Sequence, residues 1–247
     1  MKLNIFKIGG NVVDNSQTLE QFLDSFCRCQ ERKILVHGGG ALAARLAEDL
    51  DIPVKLYEGR RITDEATLHI TVMVYAGWIN KLLTASLASR GCRALGLSGV
   101  DSFCIPAVKR SPHPVDFGYV GDINPAKIHV VFIQRLLEEG LVPVFAPITC
   151  DRSGQLLNTN ADTIASSLAL ALKTYYRVSL HYIFDKEGIY GSNDSPEPLP
   201  MLSKEQYLKL RSRGVITGGM IPKIETALQA LSAGVEDVTV GTTGIRL

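Results

Sequence analysis

Near its N-terminus the chain twice runs an apolar, β-rich segment into glycines and then into helical spacing. Leu3 to Ile8 ends in Lys7-Ile8-Gly9-Gly10, and Leu19, Phe22, Leu23 and Phe26 then mark one helix face, with Thr18 and Gln21 placed as a capping box. Lys33 to Val36 ends in His37-Gly38-Gly39-Gly40, and Leu42, Leu46 and Leu50 follow. The rhythm continues. A helical stretch covers Ala66 to Ser89, Arg93 to Leu97 reads as a strand, and Val130, Ile133, Leu136 and Leu137 mark a helix. Val142 to Ile148 reads as a buried strand, Thr163 to Leu172 as a helix and Val178 to Phe184 as another strand. Repeated strand–helix units predict an α/β fold with a mainly parallel central sheet sandwiched between helices.

Two segments depart from this rhythm. Phe103 to Asp122, rich in Pro, Gly and β-formers, predicts hairpins, and Asn193 to Pro200 predicts a loop. The 247 residues suit a single domain, with the turn from Thr149 to Gly154 as a boundary between lobes 1–150 and 151–247. Lys and Arg total 26 against 25 Asp and Glu, so no basic surplus recruits nucleic acid or an anionic membrane through bulk charge. Cys27, Cys29, Cys92, Cys104 and Cys150 are odd in number and lack a C-x-x-C, which predicts reduced, buried thiols rather than a disulfide framework or a zinc site. Met1 to Lys7 is too short and polar for a signal peptide, and no apolar run is read as membrane-spanning, so a cytoplasmic location is expected.

In open parallel sheets ligands bind beyond the carboxyl ends of the strands, where glycine lets backbone N–H groups approach an anion. Two glycine clusters at successive strand ends therefore point to a phosphate or carboxylate site, although tight turns alone would also use them. Gly38 to Ala43 fits the dinucleotide fingerprint, with Glu58 where a ribose-binding acid would lie, but an earlier strand already carries glycines. No glycine is followed by lysine, so a Walker A loop is absent. Lys7 is either a solvated strand end or a phosphate contact. Gly218-Gly219-Met220-Ile221-Pro222-Lys223 repeats the theme, with Pro222 suited to a first helical turn. Asn158, Asn160 and Asp162 gather before the helix at Thr163, where Asp162 could equally be a plain N-cap. The histidines at 37, 69, 113, 129 and 181 show no metal-ligand spacing.

Taken in order, Lys7 to Gly10, Val36 to Gly40, Gly59-Arg60-Arg61-Ile62-Thr63, Leu157 to Asp162 and Gly218 to Lys223 resemble the acetylglutamate kinases of the amino-acid kinase family. The resemblance implies an N-terminal lobe for an acylated amino acid and a C-terminal lobe for ATP. It implies ATP-dependent phosphorylation of the side-chain carboxylate of N-acetylglutamate or a close N-acylglutamate, with Mg²⁺ carried mainly by ATP's phosphates. Lys7 and Lys223 would stabilise the transferring phosphoryl group, and Asp162 would hold both. Gly9, Gly10, Gly39 and Gly40 would offer backbone donors. Arg61 would clamp the α-carboxylate, with Asn158 and Asn160 beside the acid. Asp185, Gly188, Tyr190, Val215, Thr217 and Gly219 would serve ATP. Relatives usually have Ser or Thr before the aspartate matching Asp185 and an apolar residue after it; this chain has Phe184 and Lys186. No general base is required, because a carboxylate is already deprotonated at neutral pH.

Other members of the family act on aspartate, aminoadipate, carbamate or UMP, and a non-catalytic sensor of amino-acid derivatives is a different class; Lys7, Asp162 and Lys223 favour an enzyme. Lys109 and Arg110 are either solvated hairpin charges or partners for a second carboxylate on a succinyl group. Arginine-inhibited relatives carry a helix before the first strand that links dimers into hexamers. Here Leu3 already opens that strand and Gly241 to Leu247 is short, so a homodimer indifferent to arginine is expected. Its interface is expected on the apolar stretch bearing Ile70, Met73, Val74, Trp78, Ile79 and Leu82.

Overall fold

The computed structural model describes residues 1–57, 59–192 and 195–247; Glu58 and the opening of the Asn193 loop lie outside the described residues. In chain order the elements are β1 (Lys2–Ile8), α1 (Gly10–Asp14), α2 (Ser16–Arg28), β2 (Arg32–His37), α3 (Gly40–Asp49), β3 (Lys55–Tyr57) and β4 (Arg60–Ile62). Then come α4 (Glu65–Thr71), a π-helical segment (Val72–Ile79), α5 (Asn80–Ala88), β5 (Ala94–Ser98), β6 (Ala107–Lys109), β7 (Gly121–Ile123), α6 (Val130–Glu138), β8 (Val142–Ala146) and β9 (Ile148–Cys150). The chain closes with β10 (Leu156–Asn158), α7 (Ala161–Leu172), β11 (Arg177–Ile183), β12 (Met201–Ser203), α8 (Lys204–Ser212), α9 (Met220–Ser232), β13 (Asp237–Val240) and β14 (Thr243–Arg246).

The expected α/β architecture is present. An 8-stranded sheet runs β12-β14-β13-β11-β1-β2-β8-β5, and each neighbouring pair is parallel except β13 with β14. Each buried strand divides its side chains between two layers by simple alternation. Leu3 and Ile5 of β1, Ile34 and Val36 of β2, and Val178, Leu180 and Tyr182 of β11 pack with Ile164, Leu168 and Leu172 of α7 and Ile224 of α9. Ile8 of β1, Leu35 of β2 and Val144 of β8 pack the other way, with Leu23 and Phe26 of α2, Val74 and Ile79 of the π segment and Leu83 of α5. Three short hairpins (β3–β4, β6–β7 and β9–β10) stand off the sheet. The sheet itself joins both halves of the sequence, since β1 lies between β2 and β11.

Local chemistry explains where the structure departs from the sequence reading. Helix α2 is capped by Asn15, whose side chain accepts from the Thr18 N–H, rather than by a Thr18 box. Pro147 separates β8 from β9, so the expected strand through Ile148 divides in two. Asp151 folds the Thr149–Gly154 turn by accepting from Ser153 and Gln155, which makes that segment the closure of a hairpin. The helical run Glu65–Ala88 is continuous and apolar enough by length and composition to pass for a membrane span, but nearly half of its apolar stretch is buried inside the fold. Its apolar residues serve two faces. Ile70, Val74 and Ile79 lie in the core, while Met73, Trp78 and Leu82 are exposed. Of the cysteines only Cys104 and Cys150 are buried; Cys27, Cys29 and Cys92 are half-exposed.

Candidate active site

The carboxyl ends of β1, β2 and β11 meet at two glycine loops that touch each other backbone to backbone. Gly9 donates its N–H to the Ile183 carbonyl at 3.1 Å, and Gly38 donates to the Ile8 carbonyl at 2.9 Å. A Cβ on Gly10 would lie 3.2 Å from the Gly40 nitrogen, and one on Gly38 would lie 3.3 Å from the Gly10 nitrogen. At Gly39 it would sit 2.2 Å from Ile79 Cδ1. Glycine is required here by close approach of the chain to itself. Gly10 and Gly40 open α1 and α3, so their N–H groups have no intrahelical acceptor. The Gly9 and Gly38 donors are already committed to the sheet.

A buried hydrogen-bond network holds this turn from below. The His37 ring is fully buried; its Nδ1–H donates to the Gly38 carbonyl at 2.9 Å, and Nε2 accepts from Asn80 Nδ2 at 3.3 Å. Asn80 Nδ2 also donates to the Val144 carbonyl at 2.8 Å. Burial pushes the His37 pKa down to about 4, so the ring is neutral and its tautomer is set by its neighbours. Asn80 carries no sequence signal, because its partners come from β2, β5 and β8.

On the opposite face of the sheet, Lys7 is 7% exposed and its Nζ lies 2.8 Å from Asp162 Oδ1. Asp162 stands in the first turn of α7, but the cap is Asn160, whose Oδ1 accepts from the N–H groups of Asp162 and Thr163 at 2.8 and 3.1 Å. The N-cap reading of Asp162 is thereby replaced: Asn160 does that work and leaves the carboxylate to the lysine. Beneath the pair lies Tyr182, paired in register with Lys7 and 1% exposed. Burial and the Asp162 charge both push its phenol pKa up, so it stays protonated, and its hydroxyl has no hydrogen-bond partner. Sequence reasoning passed over Tyr182, which looks like any other apolar-strand residue. Lys223, in the first turn of α9, donates to the Gly219 carbonyl at 3.3 Å, and no ion pair joins it to Asp162 among the described residues.

Arg61 reaches across from β4. Its Nη2 donates to the Gly40 carbonyl at 2.9 Å, while Nη1 is buried without a partner. A guanidinium with one unsatisfied nitrogen has a planar donor free for a carboxylate or another acceptor. Asn158 donates to Thr63 Oγ1 at 3.0 Å, and the buried Thr63 is tied to the hairpin at Phe117 and Tyr119. Arg110 is held by Asp122 through contacts of 2.6 and 3.0 Å, and Lys109 lies over the Tyr119 ring. The two hairpin cations are thus engaged inside the hairpin.

The nucleotide candidates gather separately. A cavity of about 510 Å³ is lined by residues that include Asp185, Gly188, Tyr190, Val215, Thr217 and Met220. Gly219 precedes α9 next to it, and Asn11 of α1 joins the two regions by donating to Asp185 Oδ2 at 3.3 Å. Gly188 is another steric glycine: a Cβ there would lie 2.7 Å from Pro198 Cβ and 2.8 Å from Thr243 Oγ1. Phe184 is explained by its surroundings, since it is buried in the α7-side core, whereas Lys186 is exposed.

A sequence description of the amino acid kinase family matches residues 2–242. A protein of Phocaeicola vulgatus named acetylglutamate kinase is 44% identical over 97% of this chain and 93% of its own length. One of the same name from Methanopyrus kandleri is 37% identical over 96% and 94%. Among solved structures, smu.665 from Streptococcus mutans UA159 is 27% identical with a TM-score of 0.78, covering 99% of this chain and 98% of that one. The N-acetylglutamate synthase of Neisseria gonorrhoeae shares the fold, at 21% identity and a TM-score of 0.81 over 98% of this chain and 59% of that chain. These likenesses give the dinucleotide reading no support. A mainly parallel sheet ending in two interlocked glycine loops, a lysine–aspartate pair at its carboxyl edge and full-length similarity lead to one conclusion: the chain belongs to the amino-acid kinase family.

Proposed function

We propose that the chain is an acetylglutamate kinase, transferring the γ-phosphoryl group of ATP to the side-chain carboxylate of N-acetyl-L-glutamate. The observation that carries this reading is Arg61, whose Nη1 is buried and unpartnered beside Gly40 while Lys7 waits, nearly buried, on the neighbouring strand end. The substrate's carboxylate oxygen attacks the γ-phosphorus as the bond from that phosphorus to the β-phosphate oxygen breaks. The products are an acyl phosphate and ADP. Charge spreads over the transferring oxygens during this step. Lys7, fixed by Asp162, meets that charge from β1, and the first-turn N–H groups of α1 and α3 add dipoles.

Lys223 reaches the phosphoryl group by swinging away from the Gly219 carbonyl. Arg61 clamps the α-carboxylate, and Asn158, with Gly39 and Gly40, borders the acid. The cavity around Asp185, Gly188, Tyr190, Val215 and Thr217 takes the ATP base and ribose. Residues 1–150 then serve the acid and residues 151–247 the nucleotide. Mg²⁺ would be held mainly through ATP's phosphates. Mg²⁺ supplies charge neutralisation there. The need for ATP favours a cytoplasmic setting, in arginine formation. Exposed Met73, Trp78 and Leu82 favour a homodimer through the Glu65–Ala88 face.

The test is ADP release with N-acetylglutamate, N-succinylglutamate, aspartate and carbamate side by side. Turnover with N-acetylglutamate well above the others supports the reading. Preference for aspartate or carbamate, or ATP binding without turnover, would sink it.

A further inference from the structure

Cys27, in the last turn of α2, and Cys92, in the turn between α5 and β5, bring their sulfurs to 3.0 Å although they lie 65 residues apart. Neither is used by the proposed chemistry. The two elements are locked in this juxtaposition by a separate contact. Arg90, two residues before Cys92, donates from Nε to Asp24 of α2 at 2.8 Å and also pairs with Glu20. The backbone of the turn is pinned as well, with the Cys92 N–H on the Leu87 carbonyl at 3.0 Å. Lys33 Nζ holds the other side by donating to the carbonyls of Phe26, Cys27 and Cys29. Both residues are partly buried rather than sealed in the core. The other three cysteines are differently placed. Cys29 accepts from Asn4, and Cys104 and Cys150 are buried, with their pKa values raised mainly by burial.

We infer that Cys27 and Cys92 form a redox-reactive pair that closes to a disulfide on exposure to a peroxide. In the first step one thiolate attacks a peroxide oxygen and the O–O bond breaks, giving a sulfenic acid and, with the thiol proton, one water. In the second the other thiol attacks that sulfur, the S–O bond breaks, and the hydroxide leaves as water with the second proton. Two thiols and one hydrogen peroxide thus give one disulfide and two waters. Burial and the facing thiol push the Cys27 pKa up to about 11, so its thiolate is scarce near neutral pH and closure is faster at alkaline pH.

The bond would act as a staple rather than a switch. α2 leads into β2 and the Cys92 turn leads into β5, so the pair lies at the rim where these parallel strands begin. The glycine loops lie at the other rim, about 20 Å away along β2. Closing the loop restrains the unfolded chain and raises Tm, with little effect on turnover.

The experiment treats the full chain with hydrogen peroxide, then alkylates, counts free thiols under denaturing conditions and maps peptides. Expected results are a fall from five free thiols to three, a peptide joining Cys27 to Cys92, reversal by dithiothreitol, and a Tm rise of about 5 °C or more. ADP release should stay within about two-fold. Cys92→Ser should show no linked peptide at the same dose. If that variant fails to fold, Cys27→Ser serves the same purpose. Absence of the linked peptide from the wild type, with thiols lost as sulfinic or sulfonic acids, would overturn the pairing. A linked chain with unchanged Tm would overturn the staple.

Discussion

At Lys7 an ammonium, 7% exposed, faces one carboxylate across 2.8 Å. Removing a preorganised donor of this kind costs about 10²–10³ in rate. Lys7→Ala should therefore lower kcat by that factor while Tm stays within a few degrees; near-normal kcat would refute a role in charge stabilisation. Arg61 predicts a different signature. Lysine cannot reproduce the planar fork between the Gly40 carbonyl and an incoming carboxylate. Arg61→Lys should raise the KM for acetylglutamate by roughly ten-fold or more, leaving the KM for ATP within about two-fold. Equal effects on both constants would point away from a carboxylate clamp. Lys7, Asp162 and Arg61 were singled out in the sequence by their resemblance to the family motif, and the fold brings the first two to 2.8 Å. Tyr182, Asn80 and Thr63 were not, since each acquires its meaning from partners on other elements. The same is true of the exchange between Asn160 and Asp162: residue type allowed either as cap, and only the direction of the Lys7 side chain decides it.

The element that most shapes the site is the run from Glu65 to Ala88, which seats the second glycine loop on Tyr75 and Ile79. A Cβ at Gly39 would meet Ile79 Cδ1 at 2.2 Å and Tyr75 Cδ1 at 3.1 Å. Ile79 is fully buried, so it cannot step aside freely. Gly39→Ala should cost about 1–3 kcal/mol of overpacking and lower kcat/KM for the acid by at least about ten-fold. Adding Ile79→Ala should restore part of the catalytic loss by making room. A single variant with unchanged Tm and kcat/KM, or a double variant that recovers nothing, would contradict this packing. That a long helix lay here was readable from the spacing of its apolar residues. Its π-helical middle, Val72–Ile79, was not, because apolar periodicity carries no information on one extra residue per turn.

For the molecule as a whole, two histidines, His37 fully buried and His181 partly buried, bring a pH dependence. His37 and His181 both have pKa values pushed down to about 4, chiefly by burial. The unfolded chain takes these protons first, below about pH 6.5, so the stability held above that pH is lost as it falls towards 4. The loss is about 2 kcal/mol per histidine at pH 5. Tm should fall by several degrees between pH 7 and pH 5; a flat profile would refute the shielding of these rings. Assembly is the second whole-molecule matter. Trp78 is 64% exposed and Met73 is 53% exposed on one apolar face. Trp78→Glu should halve the mass seen in light scattering, and a monomeric wild type would remove the proposed interface. Fold class was readable from alternation alone, since each glycine-ended strand precedes a helix. The stand-off hairpins could be placed only roughly, because short exposed strands such as Lys55–Tyr57 bury nothing that patterns them.

The alternation of β1 also limits how the gene can vary. Leu3, Ile5 and Lys7 point to the α7 layer, while Phe6 packs edge-to-face with Phe22 and Phe26 of α2. One codon gained or lost within this seven-residue strand would send the ammonium into that aromatic layer and put a hydrocarbon opposite Asp162. The same change in the exposed turn from Ser111 to Pro114 would displace only loop. Point substitutions along β1 can be absorbed or repaired one at a time. A frame-preserving insertion or deletion cannot, so the count of residues in this strand is under stricter hold than their chemical character.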